Sequence, residues 1–136
     1  MVRKAEDHDI QALIDMGLRF HRASKQPGVF APGTFGVFCS QLINNDEGCL
    51  FRSDHGMIGG FISRPPWDST YRIADEAFWW SEDGAGPALM QAYEEWAAEN
   101  ADETRMGCLT NMRFSAVAGL LSRRGYKAVE MGMVKQ

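Results

Sequence analysis

Between Tyr71 and Asn100 the sequence carries its residues best suited to chemistry. An aromatic, strand-like segment ending in Phe78-Trp79-Trp80 runs through Gly84-Ala85-Gly86-Pro87 into a helical pattern that begins at Ala88. Glycines between a strand end and a helix start let the backbone come close to a ligand. The unpaired N–H groups of the first helical turn then face an anion, with the helix dipole behind them. A pyrophosphate is the natural guest of such a turn. A plain tight connection from strand to helix also favours glycine, so this segment by itself leaves both readings open.

Other reactive residue types form no comparable constellation. His8, His21 and His55 fall on different predicted elements at no metal-ligand spacing. Cys39, Cys49 and Cys108 are widely spaced and form neither a zinc pattern nor a disulfide framework. Cys108 lacks an activating partner in the sequence and reads as packing. Alternate residues of a strand face opposite sides, so at least one of Phe78, Trp79 and Trp80 is expected in the core. The eight methionines suit adaptable packing, including packing at an interface. Arg123-Arg124 ends a predicted helix, where positive charge suits the dipole.

The elements that must position these residues follow from periodicity and turn signals. Val2–Lys4 reads as a short strand, and Asp7 as the N-cap of a helix from His8 to Arg22. Lys25–Gly28 and Pro32-Gly33 break the chain before a helix over Thr34–Asn44. Gly48–Ser53 and Met57–Ser63 form a hairpin around Asp54-His55-Gly56. Tyr71–Trp80 is a strand, Ala88–Asn100 a helix and Met106–Leu109 a strand. Phe114–Arg123 is a helix stopped at Gly125, and Tyr126–Lys135 supplies one or two final strands. A single α/β (α+β) domain with a mixed sheet over residues 1–136 results. A right-handed crossover through Ala88–Asn100 makes Tyr71–Trp80 and Met106–Leu109 parallel.

Composition bounds the class. The chain has 136 residues, 45% hydrophobic and 24% charged, enough for one real core. A net charge of −4 gives no global attraction to nucleic acid. The opening Met-Val-Arg-Lys turns acidic without a secretory apolar stretch, and no run is long enough to span a bilayer. A cytoplasmic protein without membrane partners is expected.

The run Glu76-Ala77-Phe78-Trp79-Trp80-Ser81-Glu82-Asp83-Gly84-Ala85-Gly86-Pro87-Ala88-Leu89 resembles motif A of the GNAT N-acetyltransferase superfamily, where a strand runs into R/Q-x-x-G-x-G/A. Gly86 and Ala88 match its last two fixed positions. Ser122-Arg123-Arg124-Gly125-Tyr126 is similar to the end of motif B, and Val2–Ile10 to the family's first strand and helix start. A narrower likeness, in Phe78-Trp79-Trp80, Met106–Leu109 and Gly125-Tyr126…Val134-Lys135, is to small members encoded by phages and prophages.

The resemblance implies a GNAT-like, mostly antiparallel mixed sheet flanked by helices. It also implies transfer of an acetyl group from acetyl-CoA, as cosubstrate and without a metal, to an amine of a small molecule or protein. Pantetheine would pair with backbone near Phe78 and Trp80. The pyrophosphate would sit on the amides of Gly84, Ala85, Gly86 and Ala88, next to Asp83, with Arg123-Arg124 in reach of CoA phosphates. Glu76 would be the general base, acting through water. The chain departs from the pattern in the glycine turn and in the general acid region. Asp83 replaces the motif's Arg or Gln beside a second carboxylate, Glu82, where repulsion costs about 1 kcal/mol per charge pair in water-like surroundings. Leu121 stands where a thiolate-protonating Tyr often lies and cannot donate a proton, and Phe114 replaces an Asn. These departures favour an alternative: a weak or inactive GNAT-fold binding or structural module, phage-encoded or part of a virion. Such a module would engage a protein partner or a second copy.

Overall fold

Five strands form one sheet in the order β1 (Arg3–Lys4), β2 (Gly48–Ser53), β3 (Gly56–Ser63), β4 (Ile73–Ser81) and β5 (Glu103–Arg105). The computed structural model describes every residue, Met1–Gln136. Its first unit, Met1–Met106, contains the whole sheet; Gly107–Gln136 forms a second. The three pairings from β1 to β4 are antiparallel and the β4–β5 pairing is parallel. The sheet is mixed and mostly antiparallel, as the sequence implies.

The helices of the first unit are α1 (Ile10–Ser24), α2 (Pro32–Asn44) and α3 (Gly86–Asn100); α4 (Phe114–Arg123) belongs to the second. A short 3-10 turn, Asp7–Asp9, precedes α1. Asp7 does not cap it. Asp9 is the residue that accepts from the Glu6 amide at 2.8 Å, and Arg3 and Arg52 bind its buried carboxylate at 2.8 and 3.0 Å. That network ties the entry of α1 to β1 and β2.

Strand alternation gives the sheet two apolar faces. Leu50, Met57 and Phe78 pack with Leu13 and Met16 of α1 and with Cys39 and Leu42 of α2. Cys49, Ile58, Ile62 and Ala74 pack with Leu89, Tyr93 and Ala97 of α3. The close approach of these layers depends on missing side chains in β3. A Cβ on Gly60 would meet the Tyr93 ring at 2.5 Å, and one on Gly59 would meet Leu42 and Phe78 at 2.8 Å.

Two expected strands are corrected. The strand after α3 is Glu103–Arg105, and Met106–Leu109 has no strand structure. Polar bonds fix that register: the Asp102 carboxylate accepts from the Arg72 amide at 2.8 Å, and Tyr93 donates its hydroxyl proton to the Arg105 carbonyl at 2.7 Å. Tyr126–Lys135 forms no strand either. Its alternating Val129, Met131 and Met133 are exposed, and apolar alternation makes a strand only where a partner takes the backbone groups.

Candidate active site

The β4–turn–α3 unit lies entirely within Met1–Met106. β5 pairs with β4 only over Ile73–Asp75, so from Glu76 to Ser81 that edge of β4 has no strand beside it. The register on the other edge shifts between Gly59 and Gly60: Gly59 opposes Phe78, Gly60 opposes Glu76, and Ala77 is the extra residue of a bulge. Bulges re-aim side chains and are common beside functional sites.

The bulge sorts the predicted residues between the two faces. Residues directly across a pair share a face. Glu76, partly buried, therefore lies on the Tyr93 side with Gly60. Phe78 is buried on the opposite face, its ring centroid 5.5 Å from that of Phe35 and 6.2 Å from that of Phe38. Trp80 packs against Phe20, ring centroids 5.8 Å apart and tilted by 54°. Both side chains are thus packing residues, and what they present at the open edge is backbone. Trp79 sits on the α3 side, and its indole N–H donates to the Gly86 carbonyl at 3.1 Å, fixing the start of the helix to the strand.

The turn itself is built around Gly84, whose φ of 75° belongs to the region glycine enters freely. Ala88 is exposed and Ala85 and Gly86 are half-buried. Pro87 has no N–H, and the Leu89 amide already donates to the Ala85 carbonyl at 2.9 Å. The Ala85 amide is engaged by Ser81 Oγ at 3.1 Å and by Asp83 at 3.2 Å. The amides of Gly84, Gly86 and Ala88 take no such bond. A Cβ on Gly86 would meet only ordinary contacts, the nearest at 3.7 Å, so the chain's own packing does not demand glycine there.

The two carboxylates of the turn are occupied by the chain. Glu82 pairs with Arg19 of α1 at 2.7 Å, and that guanidinium draws its pKa below the ordinary value. Asp83 accepts from Ser53 Oγ, the His55 amide, Ser81 Oγ and the Ala85 amide. Burial pushes its pKa up, but bonds from His55, Ser53, Ala85 and Ser81 outweigh that and hold it at about 2. Ser53 and Arg19 are not legible in the sequence as partners, because they lie 30 and 63 residues from the carboxylates they bind. The Asp83-to-Ala85 bond is a local Asx turn, and that part was available from the sequence.

Other candidates stay apart from this turn. Cys39 and Cys49 are buried, with thiol pKa values pushed up by burial to about 12, the character of inert packing cysteines. No three His, Cys, Asp or Glu side chains gather into a metal-ligand cluster, and no helix is long and apolar enough to cross a membrane. In the second unit, Leu121 is 6% exposed and Phe114 45% exposed, while the Tyr126 amide closes the end of α4 on the Leu121 carbonyl at 3.0 Å.

No protein-family model matches the chain, and no curated protein matches it by sequence. Solved structures do match by fold. A predicted acetyltransferase with acetyl-CoA from Clostridium acetobutylicum superposes with a TM-score of 0.76 at 12% identity, over 100% of this chain and 95% of that one. The structure of AAC(6')-Iy in complex with the bisubstrate analogue CoA-S-monomethyl-acetylneamine matches at 0.70 and 12%, over 100% and 96%. A ribosomal-protein-alanine N-acetyltransferase from Brucella melitensis biovar Abortus 2308 matches at 0.66 and 11%, over 100% and 99%. Likeness at such identity is a likeness of architecture, and it agrees with the sheet order and crossover described above: the chain has the GNAT fold.

Proposed function

We propose that this protein binds acetyl-CoA along the open edge of β4 and transfers the acetyl group to an amine of a small molecule or protein. The observation that carries the reading is that strand pairing on this edge of β4 ends at Asp75, short of Phe78 and Trp80, and that the strand then runs into a glycine turn in which the Gly84, Gly86 and Ala88 amides take no backbone or side-chain bond. An extended pantetheine arm can add to such an edge as a strand would, through main-chain bonds near Phe78 and Trp80. The pyrophosphate then meets the N-terminus of α3. Structures of the same fold contain acetyl-CoA or a CoA-based bisubstrate analogue, which supports this assignment.

The chemistry needs a neutral amine held against the thioester. Glu76, at the bulge, is the assigned base, taking the amine proton through water. With water as the proton donor to the departing thiolate, turnover is expected to be slow. A thiol-release assay over a panel of primary amines tests the reading. Wild type should release CoA above the amine-free background, and Glu76→Gln should lower the rate by about a hundredfold. Tight binding of acetyl-CoA with no amine-dependent release would instead favour the binding-module reading.

A further inference from the structure

The turn that would hold the pyrophosphate lies beside the β2–β3 hairpin, where the pairing of β3 with β4 ends at Gly56 and Ser81, and one carboxylate bonds to both turns. Asp83 Oδ2 accepts from Ser53 Oγ at 2.8 Å and from the His55 amide at 2.9 Å, both at the β2–β3 hairpin. Oδ1 accepts from Ser81 Oγ at 3.0 Å and from the Ala85 amide at 3.2 Å, on either side of Asp83 in the glycine turn. Glu82 runs alongside: its amide donates to the His55 carbonyl at 2.9 Å and its carboxylate holds Arg19.

We infer that Asp83 is a positioning residue: it clamps the glycine turn to the β2–β3 hairpin in its anion-accepting form and raises affinity for CoA without touching CoA. The inference rests on the acyl-CoA reading above. Gly84 has positive φ and nothing within 4 Å of its Cβ position, so no side chain packs against the turn at that residue and hydrogen bonds hold it. An untethered glycine turn must be ordered on binding, and a pre-ordered one avoids that cost. Only an ionised carboxylate offers acceptor sites for all these donors at once, whereas an amide side chain would turn N–H against N–H. Ser53 is 3% exposed, so its hydroxyl has little access to water in place of Asp83. The opposite role is also definite: a built-in anion that competes with the ligand for the amides of the turn.

Calorimetric titration with CoA and with acetyl-pantetheine, which lacks the pyrophosphate, distinguishes these roles in wild type, Asp83→Asn, Ser53→Ala and the double variant. Asp83→Asn should weaken CoA roughly tenfold or more, the effect of losing charge-assisted bonds that order the turn. Ser53→Ala should weaken it less, and the double variant no more than Asp83→Asn alone, because both act through one clamp. Affinity for acetyl-pantetheine should not change, and amide exchange at His55 and Ala85 should speed up in Asp83→Asn. Equal or tighter CoA binding by folded Asp83→Asn overturns the clamp, as does an equal loss for acetyl-pantetheine. Should Asp83→Asn fail to fold, Ser53→Ala decides: weaker CoA binding with faster His55 exchange supports the clamp, and unchanged affinity overturns it. A wild type that binds no CoA overturns the acyl-CoA reading itself, and the clamp with it.

Discussion

Gly86 separates what the fold needs from what a ligand needs. A methyl group there would meet Trp79 at 3.7 Å and Ser81 at 3.9 Å, ordinary contacts, at a backbone conformation open to any residue. Gly86→Ala is therefore expected to leave the melting temperature unchanged or raise it, since alanine is favoured over glycine in a helix by about 1 kcal/mol. CoA affinity should nonetheless fall, and Gly86→Val should abolish it in a protein that still melts cooperatively. Unchanged affinity in both variants would show that close backbone approach at Gly86 is not used. Asp83→Arg, which restores the motif residue, should weaken CoA binding, because losing the four bonds of the clamp outweighs the relief of a repulsion of about 1 kcal/mol. A titration of that variant checks this directly. The glycines were legible in the sequence because their meaning is local: a strand end, a turn, a helix start. The role of Asp83 was only half legible, since Ala85 and Ser81 are its neighbours but Ser53 and His55 arrive through the fold of another hairpin.

Among the elements, those with strong internal signals were legible. α4 spans the expected residues, α2 and α3 begin two residues earlier than read, at Pro32 and Gly86, and the β2–β3 hairpin closes around Asp54 and His55. β5 was displaced because its residues, Glu103-Thr104-Arg105, carry no apolar run. It forms where it does because Tyr93, fully buried on α3, donates to the Arg105 carbonyl, and no sequence window contains both ends of that bond with its geometry. The bulge at Ala77 was equally hidden, since it depends on the register between two strands. Tyr93 also fixes the identity of its neighbour in β3. Gly60→Ala would push a methyl group to within 2.5 Å of its ring and should destabilise the protein by about 1–3 kcal/mol, the usual result of overpacking. Chemical denaturation checks that range, and a change within a few tenths of a kcal/mol would mean the α3 layer is looser than described.

The molecule as a whole should be sensitive to acid through two carboxylates. Asp9 is held well below the ordinary carboxylate range by its bonds from Arg3, against the opposing effect of burial. Asp83 lies at about 2 against an ordinary 3.8. Because both values are depressed, the unfolded chain binds more protons than the folded one below about pH 4. The stability these groups contribute is complete above that pH and is lost as the pH falls toward 2 and below. Asp9→Asn should remove the steeper part of that loss and, at neutral pH, cost about 3 kcal/mol for stranding the largely buried Arg52. Thermal melts between pH 2 and 7 measure both effects. The order of elements made a single domain with a mixed sheet legible, and the GNAT fold was legible only through the resemblance of Glu76–Leu89 and Ser122–Tyr126 to the family's motifs. Isothermal titration of the purified protein with acetyl-CoA measures the proposed ligand itself. Saturable binding of one acetyl-CoA per chain is predicted, weakening as salt rises and absent in Gly86→Val. No saturable heat at about millimolar acetyl-CoA, where even a Kd near that concentration would register, would contradict it.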